Sequence, residues 1–328
     1  MSAEMTARNN SDTLITIYGG SGFLGRHVVR ALAKRDYRIR VAVRRPALAN
    51  FLQPLGRVGQ IHAVQANLRD APSVEAAARD SHVLINLVGL LAESGRQRFN
   101  TIHSFGAEQV ALAANAHGAR MVHVSAIGAD EHSTSAYART KAAAERLVFA
   151  AQPQAVIMRP SILFGPEDDF FNRFAALARM SPVLPLIGGG ATKFQPVFVG
   201  DVARAIADAA EGKLRAGTLY ELGGPEVYSF KQLMQFVLAT IERRRGLVPL
   251  PFFAAKFKAM FLQFAPPPLT LTPDQIELLR ADNVVSEQAV AEKRTLAGIG
   301  IDAETIEAIV PSYLWRFRKT GQFRSRAA

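Results

Sequence analysis

Apolar residues along this chain fall into two alternating rhythms. Thr13 to Tyr18 (Thr-Leu-Ile-Thr-Ile-Tyr) is a short apolar run that predicts a buried strand, whereas Phe23 to Arg35 repeats Leu24, Val28, Ala31 and Leu32 at helical spacing. The same pattern predicts strands over Arg38 to Val43, Gly59 to Gln65, His82 to Val88, Arg120 to Val124 and Ala155 to Arg159. It predicts helices over Pro72 to Arg79, Ile102 to His117 and Tyr137 to Ala151. Strands alternating with helices argue for a parallel sheet covered on both faces. Beyond Pro160 the rhythm loosens around Gly188-Gly189-Gly190 and proline-rich links, with Pro196 to Val199 and Thr218 to Leu222 expected as late strands returning to the sheet. No internal repeat is visible.

Between the first strand and the first helix stands Gly19-Gly20-Ser21-Gly22-Phe23-Leu24-Gly25. Glycines there let the backbone turn tightly and approach a pyrophosphate, which the free N–H groups of the helix N-terminus stabilise. Both Gly-x-Gly-x-x-Gly and Gly-x-x-Gly-x-x-Gly are satisfied. An ordinary turn would need only one such glycine, and the flanking strand and helix turn the motif into an expected dinucleotide site lined by Gly19, Gly22, Phe23, Leu24 and Gly25. The end of strand two then bears on the cofactor. A carboxylate there takes the ribose 2′-hydroxyl of NADH, but this chain reads Val43-Arg44-Arg45-Pro46, and Arg44 with Arg45 can accept a 2′-phosphate. NADPH (NADP+) is therefore the expected cofactor, against the blander reading of a solvated basic turn. Asn67-Leu68 after strand three is either an adenine contact or a strand-end turn.

A second constellation is Ser125, Tyr137 and Lys141. Ser125 ends a strand, where α/β folds present catalytic side chains, and Tyr137 and Lys141 lie four apart on one helix face. An ammonium near a phenol is expected to lower its pKa and make it a proton donor to a carbonyl that a serine orients. The pair alone also describes many surface helices.

Composition narrows the partners. The 328 residues suffice for a full core and a second, smaller domain. Absence of cysteine removes disulfides, thiolate metal sites and a thiol nucleophile, and no metal site is expected. Met1 to Asp12 is polar, without the apolar core of a secretory signal, and no run approaches the roughly 20 apolar residues of a membrane span. A net charge of +11 suits an anionic partner, with no nucleic-acid motif in sight.

The C-terminal third adds a stripe. Over Phe252 to Phe264, read as a helix, Phe253, Phe257, Met260, Phe261 and Phe264 share one face, with Lys256 and Lys258 flanking it. Such a helix, roughly 20 Å long, suits a membrane surface or a partner's groove, or it forms the core of the small domain. From Pro311 onward Arg316, Arg318, Lys319, Arg324 and Arg326 meet no acidic residue, a tail suited to an acidic subunit or anionic lipid.

These residues resemble the short-chain dehydrogenase/reductase superfamily in its extended, atypical branch, from strand one to about Leu250. The likeness rests on Gly19-x-x-Gly22-x-x-Gly25, Asn67-Leu68, Asn86-Leu87-Val88-Gly89, Ser125, Tyr137-x-x-x-Lys141 and Arg159-Pro160-Ser161. Arg159 to Asp168, Phe170 to Phe174, Gln195 to Val202, Pro249-Leu250-Pro251 and Tyr313 to Arg316 look like the nucleotide-binding accessory subunit family of respiratory complex I. The resemblance implies a doubly wound, parallel-sheet Rossmann domain (13–160 plus about 196–222) and a smaller, α-rich C-terminal domain that binds partners (about 161–195 plus 223–328). It implies one NADP(H) with a stabilising role, and places Val88, Gly89, Pro160 and Ser161 with Tyr137 and Lys141 beside it. Other complex I subunits and an anionic membrane surface would be its partners, on the cytoplasmic face of a bacterial inner membrane. A free-standing NADPH-dependent reductase or epimerase acting on a small carbonyl or sugar stays open beside it, as does a redox-sensing regulator.

Overall fold

Five successive residues with four fully enclosed make β1 (Leu14–Tyr18) the centre of the architecture. In the computed structural model, which describes residues 9–93, 98–266, 268–319 and 321, it leads through the glycine turn into α1 (Phe23–Ala33). There follow β2 (Arg38–Val43), β3 (Ile61–Gln65), α2 (Ala71–Ala78), β4 (Val83–Asn86), α3 (Gly106–Ala116), β5 (Arg120–Val124), α4 (Ala136–Ala151) and β6 (Val156–Pro160). The later elements are β7 (Leu163–Phe164), α5 (Phe170–Met180), β8 (Val183–Ile187), β9 (Lys193–Phe194), β10 (Val197–Phe198), α6 (Val199–Ala210) and β11 (Leu219–Leu222). Then come β12 (Tyr228–Ser229), α7 (Phe230–Thr240), β13 (Gly246–Leu250), α8 (Phe252–Leu262) and α9 (Pro273–Leu278). The fold is a doubly wound Rossmann sheet followed by a helix-rich C-terminal region, as expected.

Seven strands form the main sheet in the order β11-β6-β5-β4-β1-β2-β3, with parallel pairing from β3 through to β6. The reversal of strand order beside β1 opens the crevice at the carboxyl ends of β1 and β4 where such folds hold ligands. Because both faces are covered, the strands are nearly all apolar. Tyr18, Leu84, Val110, Met121, Val148 and Ile157 are buried in one cluster there, and the Tyr18 hydroxyl donates to the Val74 carbonyl at 2.7 Å.

The chain divides into two units. One comprises Met1–Ser125, Thr140–Met158 and Ala203–Leu219; the other comprises Ala126–Arg139, Arg159–Val202 and Tyr220–Ala328. The second is built on aromatic packing, with the Phe170 ring 5.1–6.4 Å from the rings of Phe171, Phe174, Phe194 and Phe230. Buried Asp168 gathers the start of α5, accepting the amides of Phe171 at 2.6 Å and Asn172 at 3.2 Å, together with the Tyr313 hydroxyl. That last bond ties the C-terminal segment to this core.

Three expectations change. The helix expected over Ile102 to His117 starts earlier, as a π-helical turn over Asn100–Phe105 that leads into α3. Of the late strand Pro196 to Val199 only β10 forms, and it pairs with β7 outside the main sheet, because Val199 already opens α6. The core reading of the α8 stripe fails. Ala255 and Ala259 take the inward positions, and the five large side chains are exposed. Arg324 and Arg326 of the basic tail lie outside the described residues. Among the described residues no helix is long and apolar enough to cross a membrane.

Candidate nucleotide-binding and catalytic site

The glycine turn is built by backbone meeting backbone. Gly19 adopts a φ of +82°, in the left-handed region, and a Cβ on Gly25 would lie 2.3 Å from the Gly19 carbonyl oxygen. No side chain other than hydrogen fits where α1 crosses the turn. Gly22 is the N-cap of α1, and no side chain caps the helix there. Its first-turn N–H groups are thus available to an anion, with Phe23 in the opening turn and Leu24 buried behind it.

Arg44 and Arg45 follow β2, and β2 runs beside β1 with Ala42 opposite Tyr18. Both arginines are exposed, at the same end of the sheet as the glycine turn. Asn67 lies two residues beyond β3, its side-chain oxygen accepting the Arg69 amide at 3.2 Å, so this amide also shapes its own turn. Leu68 is a core residue, packed closely on Gly106. After β4, Val88 lies against Gly19, and its amide donates to the Asn86 side chain at 3.1 Å. Gly89 is smooth where Lys141 passes: a Cβ there would be 3.4 Å from Nζ.

Lys141 projects from α4 into the first unit, buried, and its ammonium donates to the Val124 carbonyl at 3.1 Å. Burial lowers its pKa from 10.5 to about 8, with the Glu145 carboxylate one turn on opposing the shift. Ser125 follows Val124 directly, and its backbone is fixed by an N–H bond to the Met158 carbonyl at 2.7 Å. Its hydroxyl is buried with no hydrogen-bond partner among the described residues. A buried hydroxyl left unbonded loses its hydration without compensation. Lys141 thus reaches the carbonyl of the residue that precedes Ser125.

Tyr137 lies one turn before Lys141 on α4, and the boundary between the two units falls between them, after Arg139. Its phenol departs from expectation. Burial, reinforced by the Asp274 carboxylate, raises its pKa to about 12 rather than lowering it. Pro160 ends β6, and the Ser161 hydroxyl beside it is committed to Asn283, 2.6 Å from its side-chain oxygen. Asn283 also donates to the Ile127 carbonyl at 3.0 Å, tying the segments after β5 and β6 together.

The sequence pattern assigns no role to His103, His123, Thr140 or Asp274. His103 stands in the π-helical turn; its Nε2 accepts the Leu90 amide at 2.9 Å, so Nδ1 carries the proton and faces Thr140 Oγ1 at 3.1 Å. Burial and then Lys141 lower the His103 pKa to about 3, and the same causes hold buried His123 well below 6.5. Both imidazoles are neutral, which leaves Lys141 as the cation of this region. One signal was available: Asn86 and His123 face each other in the β4–β5 register, a polar pair inside two apolar strands.

A dinucleotide fits these residues. Gly25 has no room for a side chain against the turn, the helix N-terminus is uncapped, two arginines stand free of the core at the sheet end, and the Ser125 hydroxyl is unbonded. A family model described as NAD dependent epimerase/dehydratase matches residues 15–223. The chain belongs to that family. An NAD(P) cofactor is typical of it. The chain is 37% identical over 292 residues to the Arabidopsis thaliana protein named NADH dehydrogenase [ubiquinone] 1 alpha subcomplex subunit 9, mitochondrial, covering 85% of this chain and 73% of that one. It is 39% identical over 174 residues to a ceramide reductase of Caulobacter vibrioides, covering 53% of this chain and 54% of that one. Among solved structures, an NADPH-dependent quinone oxidoreductase from Escherichia coli superposes with a TM-score of 0.71 at 21% identity, covering 92% of this chain and 99% of that one. At that identity the likeness speaks for the fold.

Proposed function

We propose that this chain is an NADP(H)-binding accessory subunit of an NADH:ubiquinone oxidoreductase, with the nucleotide serving mainly to stabilise it. The observation that carries the reading is the reach of the likeness. Similarity to complex I subunits runs over 85% of the chain in the plant relative and 94% in the Neurospora crassa 40 kDa subunit, well past the Rossmann elements. Similarity to the ceramide reductase covers only 53%. In this reading Rossmann residues 13–160 and about 196–222 hold the nucleotide, and about 161–195 and 223–328 meet partners. The pyrophosphate lies on the uncapped start of α1, and Arg44 with Arg45 take the 2′-phosphate. The protein works peripherally, on the cytoplasmic face of a bacterial inner membrane. The test is native electrophoresis of gently solubilised membranes with the tagged chain. Migration with NADH dehydrogenase activity supports the reading, and a small species alone sinks it.

A second reading, an NADPH-dependent reductase of a carbonyl substrate, is favoured by one observation. The Ser125 hydroxyl is buried and unbonded beside a buried Lys141. Bound NADPH would supply a hydride. Ser125 would orient the carbonyl, Tyr137, with a pKa raised to about 12, would hold the proton to be given up, and Lys141 would supply the positive charge. The partial likeness to a ceramide reductase places lipid carbonyls among the substrates to try first.

A further inference from the structure

The exposed face of α8 serves neither the nucleotide nor the carbonyl chemistry. A helix of a soluble domain ordinarily buries its large apolar side chains and turns small or charged ones outward. α8 does the reverse. Ala255 and Ala259 are fully buried against Ile187 and Ile276, whereas Phe253, Phe257, Met260, Phe261 and Phe264 are between 52% and 83% exposed. At 3.6 residues per turn the four on the helix cover an arc of about 100°, and Phe264 follows just past its end. Phe257 and Phe261 stack edge to face at 5.5 Å. Leu269, after the helix, and Val248, before it on β13, are exposed as well.

Charge identifies the occupant. From Arg243 to Pro273 the chain carries Arg243, Arg244, Arg245, Lys256 and Lys258 and no carboxylate. Lys256 and Lys258 flank opposite margins of the arc; Lys256 pairs with Glu277 at 2.8 Å, and Lys258 is exposed. A protein interface of this kind would intersperse hydrogen-bonding groups among its apolar anchors. This arc holds only phenylalanine and methionine. A second copy would bring the same cations face to face. Phenylalanines on one face with cations at the edges are what a helix lying in a lipid interface presents.

We propose that α8 docks the chain on an anionic phospholipid bilayer, with its four exposed large apolar side chains and Phe264 just beyond it entering the boundary between headgroups and acyl chains and Lys258 and Arg244 meeting the anionic headgroups. The proposal supplies the means of attachment for the peripheral membrane placement given above, and because the surface belongs to the chain itself it holds under either functional reading. A chain that binds bilayers yet never migrates with NADH dehydrogenase activity upholds it and sinks the complex I reading.

The experiment is flotation of the purified full-length protein, with NADPH, on vesicles of phosphatidylcholine with or without phosphatidylglycerol. The protein should float with the phosphatidylglycerol vesicles, and less so as salt is raised. Phe257→Ser with Phe261→Ser should lower partitioning at least about tenfold, and Lys258→Glu about fivefold or more on the anionic vesicles alone. All three side chains are exposed, so melting temperature and NADPH retention should stay unchanged. Failure of the unmodified protein to float with anionic vesicles, equal binding to neutral ones, or undiminished binding by the double variant would overturn the proposal. So would self-association abolished by the double variant, which assigns the face to a second copy.

Discussion

Asp274 caps the helix that carries Tyr137. From α9, its carboxylate accepts the Tyr137 amide at 3.2 Å, the Ala136 amide at 2.7 Å and the Ser135 hydroxyl at 2.9 Å. One side chain therefore satisfies two of the free donors at the start of α4, the Ala138 amide going to the Ser135 hydroxyl, and brings a negative charge to the positive end of its dipole. The same charge, second to burial, holds the Tyr137 phenol protonated up to about pH 12. Losing a cap of this kind costs about 0.5–2 kcal/mol. Asp274→Ala should lower stability in urea by that amount and move the Tyr137 transition to lower pH. The latter is read as the difference between alkaline ultraviolet titrations of the variant with and without Tyr137→Phe. A Tyr137 transition that stays in place would remove Asp274 as a cause of the shift.

The proposed preference for NADPH rests on Arg44 and Arg45, both exposed after β2. A charge-assisted hydrogen bond contributes about 1.5–3 kcal/mol, so Arg45→Ala should weaken NADPH roughly ten- to hundredfold by calorimetry while leaving NADH almost unaffected. Equal affinity of the unmodified protein for both nucleotides would end the 2′-phosphate assignment.

What was legible in the sequence was local, and what was not depended on distant partners. The glycine turn could be read because Gly19 to Gly25 are consecutive and their neighbours are a strand and a helix. The periodicity of α8 could be read too, but not which face turns inward. That depends on the fit of Ala255 and Ala259 against Ile187 and Ile276, which belong to other elements. The Asp274 cap was invisible because 137 positions separate it from Tyr137. The expected lowering of the Tyr137 pKa reversed for the same reason: the sequence shows the lysine one turn away but not the burial or the carboxylate. Pro196 to Val199 was misread as a main-sheet strand because a short apolar run does not declare its pairing partner.

Tyr137→Phe separates the two functional readings. The change removes one hydroxyl and leaves the ring. In an accessory subunit, nucleotide retention and migration with the larger assembly should both survive. In a reductase, loss of the proton donor should lower the NADPH-dependent rate by about 10²–10⁴-fold with nucleotide affinity retained. Assays of NADPH oxidation with ceramide-like and small ketone substrates, run on both proteins, decide between them.

Lys141 makes the stability of the nucleotide-free protein depend on pH. Its pKa is near 10.5 in the unfolded chain and is lowered to about 8 by burial in the folded one. Below pH 8 both states hold the proton and the folded state bears the full cost of a buried ammonium. Between about 8 and 10.5 the unfolded chain holds more protons than the folded one, so stability rises with pH from this group, by about 3 kcal/mol in all. Above 10.5 the contribution is constant. Lys141→Met keeps the length of the side chain and removes the titration. The stability of the unmodified protein relative to the variant, measured by urea unfolding at a series of pH values, should therefore be flat below 8 and climb toward 10.5. A difference that instead stays flat up to 10.5 and falls above it would mean that the ammonium is favoured in the folded state, and that the bond to the Val124 carbonyl outweighs its burial.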